Sequence, residues 1–226
     1  QGPVGKSNSS VVAATQQQLS FYVGPGCQGS VLEVLGRLDV GDHPDRRADL
    51  YIKKGSTLVL FAKSKTAIGP GSRLIIEEGA KLVVHPNAEL HLNEGSLVQH
   101  GILEILPGAI FTPLASGTIE LQATTVFEGN GAIAIASHDI KVDGAIRIPK
   151  QIAYVHWTDV HCSLNNLGTI ELETSGEFEH CRFEQIDTKP YLSLVAMGTE
   201  LHIDECRFIK GMAGLTIADS TNWSLT

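Results

Sequence analysis

From Gly71 the chain reads GSRLIIEE, GAKLVVHP, NAELHLNE and then GSLVQH, so that Gly71, Gly79, Asn87 and Gly95 stand eight residues apart. Each unit runs turn, small, polar, Leu, any, apolar. Leu74 with Ile76, Leu82 with Val84 and Leu90 with Leu92 therefore share one face at period two, the pattern of a half-buried strand. The punctuating glycine or asparagine tolerates positive φ, which lets the chain bend at each boundary. A chain of four- or five-residue strands separated by regular bends leaves no room for helices of ordinary length.

The phrase recurs at Gly55-Ser-Thr-Leu-Val-Leu, Gly117-Thr-Ile-Glu-Leu, Gly131-Ala-Ile-Ala-Ile, Gly144-Ala-Ile-Arg-Ile, Gly168-Thr-Ile-Glu-Leu and Gly198-Thr-Glu-Leu-His-Ile. The nearest candidate for a helix, Val11 to Leu19, carries a polar Gln run that spoils its apolar stripe. Short strands at this spacing suit an antiparallel sandwich or a solenoid. Hairpin signals are few, Asp143-Gly144 being the clearest. The units also resemble one another, as stacked repeats do and sandwich strands do not. Three eight-residue units would make a coil of about two dozen residues with three faces.

In the second half, Val160-His-Cys-Ser-Leu-Asn, Phe178-Glu-His-Cys-Arg-Phe and Ile203-Asp-Glu-Cys-Arg-Phe repeat at intervals of about one coil. These phrases resemble the right-handed parallel β-helix superfamily, which includes pectate-lyase-like enzymes and many surface proteins. The glycine-punctuated first half resembles β-helical regions of secreted Bacteroidota proteins. The fold expected is all-β, a right-handed parallel β-helix with short strands and glycine-rich turns. Residues 1–49 would form an N-terminal tail and capping or first-coil region, and residues 50–226 the β-helix. The abrupt stop at Asn222-Trp-Ser-Leu-Thr suggests a solenoid that continues beyond Thr226.

The formal charge is −8, which disfavours nucleic acid and anionic lipid as partners. Lys53, Lys54, Lys63 and Lys65 are interleaved with apolar residues and read as a solvated strand face. No stretch approaches the length of apolar sequence that a spanning helix needs, so none is expected to cross a membrane. The chain opens on Gln1, followed by Gly2-Pro3-Val4. A glutamine exposed by signal cleavage resembles exported Bacteroidota proteins, and a fragment boundary is the alternative. The resemblance implies export by type IX secretion, with extracellular or cell-surface localisation.

Four cysteines occur, without a CxxC pair. Cys162, Cys181 and Cys206 are expected on one inward ladder as free thiols, because a buried cysteine behaves as a small hydrophobe. A disulfide between neighbouring coils and metal binding are the alternatives, and Cys27 has no local partner. Asp39, Asp42, Asp45 and Asp49, with Arg46 and Arg47, read as a solvated loop leaving the core. Their spacing fits neither an EF-hand nor a calcium roll. His85, His91 and His100, with Glu89 and Glu94, fall at different phases of the unit and need not meet. His156, His161, His180 and His202 are read as surface residues, His161 and His180 each pointing out beside an inward cysteine. Glu171, Glu173, Glu177, Glu179 and Glu184 sit at strand-exterior spacing, where a carboxylate keeps a strand soluble. Asn8-Ser-Ser and Asn222-Trp-Ser match the glycosylation triplet, a pattern common by chance.

Enzymes of the resembled superfamily place acids and arginines along one groove. Arg147-Ile-Pro-Lys150 departs from the Arg-x-Lys of polygalacturonase-like members, and no Asp-Asp pair is present. The expectation is therefore no catalytic, cofactor-binding or metal-binding residue, and no cofactor. The chain would be a noncatalytic secreted or cell-surface β-helix acting as adhesin, stalk or scaffold segment. Its partners would be a glycan, a cell-surface protein or the secretion machinery. The alternative is a carbohydrate-active enzyme or glycan-binding protein of the same fold. Trp157, Trp223 and four tyrosines leave little for a long aromatic sugar platform.

Overall fold

A computed structural model describes residues 19–23, 31–41, 47–186, 192–197, 200–209, 213–217 and 222–226. Cys27, Asp42, Asp45, Arg46, Asn8 and the 11–18 stretch lie outside the described residues. Among the described residues every strand pairing is parallel, and none of the regular structure is helical. The chain is a parallel β-solenoid of about seven turns.

Each coil contributes one strand to each of three faces. The first face begins with Leu19–Val23, Ala48–Ile52, Arg73–Ile76 and Ser96–Gln99, and continues through Thr118–Gln122 and the first halves of Asp139–Ile148 and His161–Leu172. The second face stacks Val31–Val34, Thr57–Leu60, Lys81–Val84, Ile102–Ile105 and Val126–Gly129. The third stacks Arg37–Val40, Lys65–Ile68 and Glu89–His91, then changes partner within one coil. There Pro113–Leu114 pair back to Leu90–His91 while Ile110–Phe111 pair forward to Ala132–Ile133. The third face then continues through Val155–Thr158, Gly176–Glu179, Glu200–Asp204 and Asn222–Leu225.

The period comes from the eight-residue units. Asp49 pairs with Arg73, three units further along the chain. Later coils are slightly shorter, Ser96 pairing with Thr118 and Thr118 with Asp139. Leu74, Leu82 and Leu90 all point into the shared core, at no more than 4% exposure. The period-two reading therefore assigns these strands to the right face. In the last coils the interior turns aromatic. Trp157 meets Phe178 edge-on at 5.5 Å between centroids, and Phe183 stacks on Phe208 at 5.0 Å.

The punctuation residues work in two ways. Gly71, Gly79 and Asn87 take left-handed φ of 66, 73 and 60°. Gly95 does not. A Cβ there would stand 2.6 Å from Ile68 Cγ2 and 2.7 Å from the Ile68 carbonyl, so glycine is required for close approach of backbones.

Two sequence expectations are corrected. Asp39 and Asp49 do not belong to a loop leaving the core. Asp39 lies in the strand Arg37–Val40, and Asp49 lies in Ala48–Ile52 at 2% exposure. The buried Asp49 carboxylate accepts hydrogen bonds from Arg73 Nε (3.1 Å) and Nη2 (2.6 Å) one coil on, so a charge that would be costly alone is neutralised. The second correction concerns the cysteines. Cys162 pairs in register with Phe183 on the first face, whereas Cys181 stands at the corner before that face. Cys181 follows Val160 in the stack, the Arg182 N–H donating to the Val160 carbonyl, and Cys206 comes next, the Arg207 N–H donating to the Cys181 carbonyl. Cys162 is therefore off the Cys181–Cys206 column by two residues. A two-residue slip leaves period-two parity unchanged, so the repeat phrase alone could not exclude it.

Candidate functional site

On the third face alternation turns His156 and Thr158 outward around the buried Trp157, and Glu177 and Glu179 outward around the buried Phe178. The parallel register sets His156 beside Glu177 and Thr158 beside Glu179. His156 Nε2 lies 3.5 Å from Glu179 Oε2 and 3.9 Å from Glu177 Oε2, and the three ligand atoms are all within 4.8 Å of one another. The Thr158 hydroxyl stands 3.0 Å from His156 Nε2 and 3.4 Å from Glu179 Oε2. Each side chain of the trio is one-third to one-half exposed.

This cluster differs from the acidic positions that have a lysine or arginine beside them. Lys81 Nζ donates to Glu104 and Glu128, each at 2.9 Å, tying three successive coils together. Those carboxylates hold the Lys81 pKa above its ordinary value. Lys53 pairs with Glu77, Lys141 with Glu120, Arg147 with Glu173, and Arg182 with Glu184. Among the described residues, His156 is the one basic side chain within 4 Å of Glu177 and Glu179. Two carboxylates held this close repel by at least roughly 1 kcal/mol in a fully aqueous setting, and by about 3.5 kcal/mol at a protein surface of effective dielectric near 20. A positive charge in their midst relieves that repulsion.

Beside the cluster an open cleft of about 490 Å³ is lined by Tyr154, Ser175, Glu177, Glu200, His202 and Trp223, among others. Tyr154 and Trp223 are 41% and 60% exposed. His202 turns toward Ser224, its Nδ1 at 2.6 Å from the hydroxyl.

The remaining sequence candidates are dispersed. His85 stacks on Phe61 at 4.5 Å, His91 lies 2.9 Å from Glu89 on the third face, and His100 follows the first-face strand Ser96–Gln99. These histidines do not converge. Glu94 is an exposed turn residue with φ of 64°. Arg147 meets Glu171 in register and pairs with Glu173, while Lys150 is exposed in the following turn. His161 lies 3.4 Å from Asp139 and 3.5 Å from Glu184, but Glu184 is also held by Arg182 at 2.7 Å. Lys54 and Lys63 are exposed but stand in turns, Lys53 lies between strands, and Lys65 alone belongs to a strand, so the four lysines do not form one strand face. Arg47 lies against Gly71, where a Cβ would stand 2.8 Å from its Nε.

His180 occupies a corner that repeats down the solenoid. Ser137, Asp159, His180 and Glu205 all take left-handed φ, between 45 and 56°. Each N–H bonds to the neighbouring coil, as in Asp159 N–H to the Glu179 carbonyl at 3.0 Å. The column that follows this corner holds His138, Val160, Cys181 and Cys206. Cys162, Cys181 and Cys206 are free thiols. Burial pushes the Cys162 thiol well above the ordinary cysteine range. Cys206 is only half-buried, and a hydrogen bond from Cys181 lowers its pKa to about 7.

The sequence alone leaves His156, Glu177 and Glu179 as separate surface residues. The signal that joins them was present as two x-apolar-x triplets, His-Trp-Thr and Glu-Phe-Glu, one coil apart. Comparison with models of protein families, with curated proteins and with solved structures finds no match. The fold therefore rests on the strand register itself, and the geometry of the third face carries the functional argument.

Proposed function

We propose that this chain is a noncatalytic segment of an exported or cell-surface protein, serving as a stiff scaffold, stalk or adhesin module. The observation that carries this reading is the disposition of its acids. Glu173 and Glu184 are engaged by arginines, and Glu177 and Glu179 project from one strand of one flat face. A glycosidase needs two carboxyls flanking the bond, about 5 to 9.5 Å apart. Two carboxylates at i and i+2 on a strand approach a sugar from the same side and cannot straddle it. Arg147, the best candidate for stabilising an eliminative intermediate, is held by Glu173. Continuous parallel ladders and cross-coil ion pairs suit a rigid rod, in which each coil supports the next. Export by a type IX route belongs to the same proposal and rests on the resemblance of the glycine-punctuated coils to secreted Bacteroidota proteins.

A second reading is favoured by the cleft holding Tyr154 and Trp223 beside Glu177, Glu200 and His202. Exposed aromatic faces next to carboxylates suit a glycan, with rings stacking on sugars and acids accepting hydroxyl hydrogen bonds. The two readings are tested together by incubating the protein with a polysaccharide panel, with and without Ca²⁺. The expected result is no new reducing ends and no unsaturated products. Turnover abolished by Glu173→Gln or Glu179→Gln would reject the noncatalytic reading. Retention of a polysaccharide that Trp223→Ala abolishes, without turnover, would select glycan binding.

A further inference from the structure

We infer that His156, Glu177 and Glu179 form a binding site for a divalent transition-metal ion of the Zn²⁺ type, which clips two adjacent coils of the third face together. The inference is independent of whether the solenoid is a scaffold or a glycan binder.

The donor set is one imidazole nitrogen and two carboxylate oxygens. Imidazole suits Zn²⁺, Cu²⁺ and Ni²⁺, and Zn²⁺ also accepts Asp and Glu oxygens. Donors about 2.0 to 2.1 Å from a tetrahedral ion stand roughly 3.4 Å from one another. The His156 Nε2 to Glu179 Oε2 separation of 3.5 Å already meets that requirement, and the other two, 3.9 Å to Glu177 Oε2 and at most 4.8 Å between the carboxylates, close by rotation of partly exposed side chains. The strands beneath are fixed. Trp157 and Phe178, between the ligands, are each 1% exposed and packed against each other, so the backbone holds the donors near one point before any ion arrives. Zn²⁺ sites with three protein ligands keep a further position open, and here that position faces solvent.

Charge supplies an independent reason. Lys81 bridges Glu104 and Glu128, Arg147 pairs with Glu173, and Arg182 pairs with Glu184, so each of these carboxylates has a permanent cation beside it. Around Glu177 and Glu179 the described residues place no lysine or arginine nitrogen within 4 Å, only an imidazole whose nitrogen can serve as a ligand. The groups facing the cluster from the next coil, Asp204 beside Glu179 and His202 beside Glu177, add no permanent cation. A bound ion supplies the missing charge.

The test is a titration of the folded protein with Co²⁺, a spectroscopic stand-in for Zn²⁺. Visible ligand-field bands should grow to saturation at one Co²⁺ per chain and disappear when Zn²⁺ is added. They should appear without the near-ultraviolet charge-transfer band of a thiolate ligand, which separates this site from Cys206. Glu177→Gln combined with Glu179→Gln should weaken binding at least ten-fold, as should His156→Gln. Both variants change outward side chains, and their circular dichroism should match the parent. Glu104→Gln combined with Glu128→Gln should leave binding unchanged. Absence of saturable uptake by the parent would overturn the proposal. So would undiminished binding by the two cluster variants, a thiolate band accompanying uptake, or equal loss in the Glu104/Glu128 variant.

Discussion

Replacing Trp157 by alanine should be among the most damaging single changes in this solenoid, and replacing it by phenylalanine among the mildest at a core position. The indole is 1% exposed, meets Phe178 edge-on at 5.5 Å and stacks with Phe183 at 6.3 Å. Removing a buried aromatic costs about 3–5 kcal/mol through lost transfer energy and a residual cavity. The two aromatic contacts add about 0.5–1.5 kcal/mol each. Against this, Trp157 Nε1 is buried with no hydrogen-bond partner among the described residues, and burying an unpaired donor costs roughly 1–3 kcal/mol. Alanine relieves that cost too, so its net effect is about 3–5 kcal/mol. Phenylalanine keeps most of the ring contact and removes the orphan N–H. Lost area and relieved donor then nearly cancel, leaving a change within about 1 kcal/mol. Guanidinium unfolding followed by far-ultraviolet circular dichroism should place the Trp157→Ala midpoint about 1 M below the parent, and that of Trp157→Phe within about 0.3 M, for an m-value of about 4 kcal/mol/M. If phenylalanine cost as much as alanine, the orphan donor would not be a liability and the reasoning would fail.

Two further predictions concern backbone approach and thiol chemistry. Gly129→Ala should lower the melting temperature far more than Gly55→Ala. Both glycines have left-handed φ, 89 and 79°, but a Cβ at Gly129 would stand 2.0 Å from the Ile105 carbonyl oxygen while at Gly55 nothing lies within 4 Å. Gly55→Ala should cost only the left-handed penalty of about 1–2 kcal/mol, and equal melting points would refute the packing argument. Under native conditions iodoacetamide should modify Cys206 first, with a rate that rises as pH passes through about 7 and its thiolate forms. Cys162, raised by burial, should react only after unfolding. Cys181→Ala, which removes the donor, should shift the Cys206 profile to higher pH, because the hydrogen bond donated by Cys181 is the largest influence lowering it. A Cys206 rate that climbs only above about pH 8.5, the range of an ordinary thiol, would contradict this.

The eight-residue punctuation determined short strands with regular bends, and the likeness of the units with the scarcity of hairpin signals pointed to a solenoid rather than a sandwich. Leu74 with Ile76, Leu82 with Val84 and Leu90 with Leu92 each fall on one side of the chain at period two, and three such units, one on each face, turn those side chains into a common core and close one coil. The same parity made the outward positions of Glu177, Glu179 and His156 legible. It could not say which outward residues meet, because a parity pattern is blind to slips of two residues and to coils that shorten. That blindness misplaced Cys162 beside Cys181, although its register partner is Phe183. It also hid Asp49, which follows the polar run Asp45-Arg-Arg closely in sequence but whose carboxylate is buried against Arg73 of the next coil. The register between coils is set by packing and by backbone hydrogen bonds from one coil to the next, and these are long-range properties. Only that register brings His156 over Glu177 and Thr158 over Glu179, and thereby turns isolated surface residues into a cluster with a net charge to satisfy.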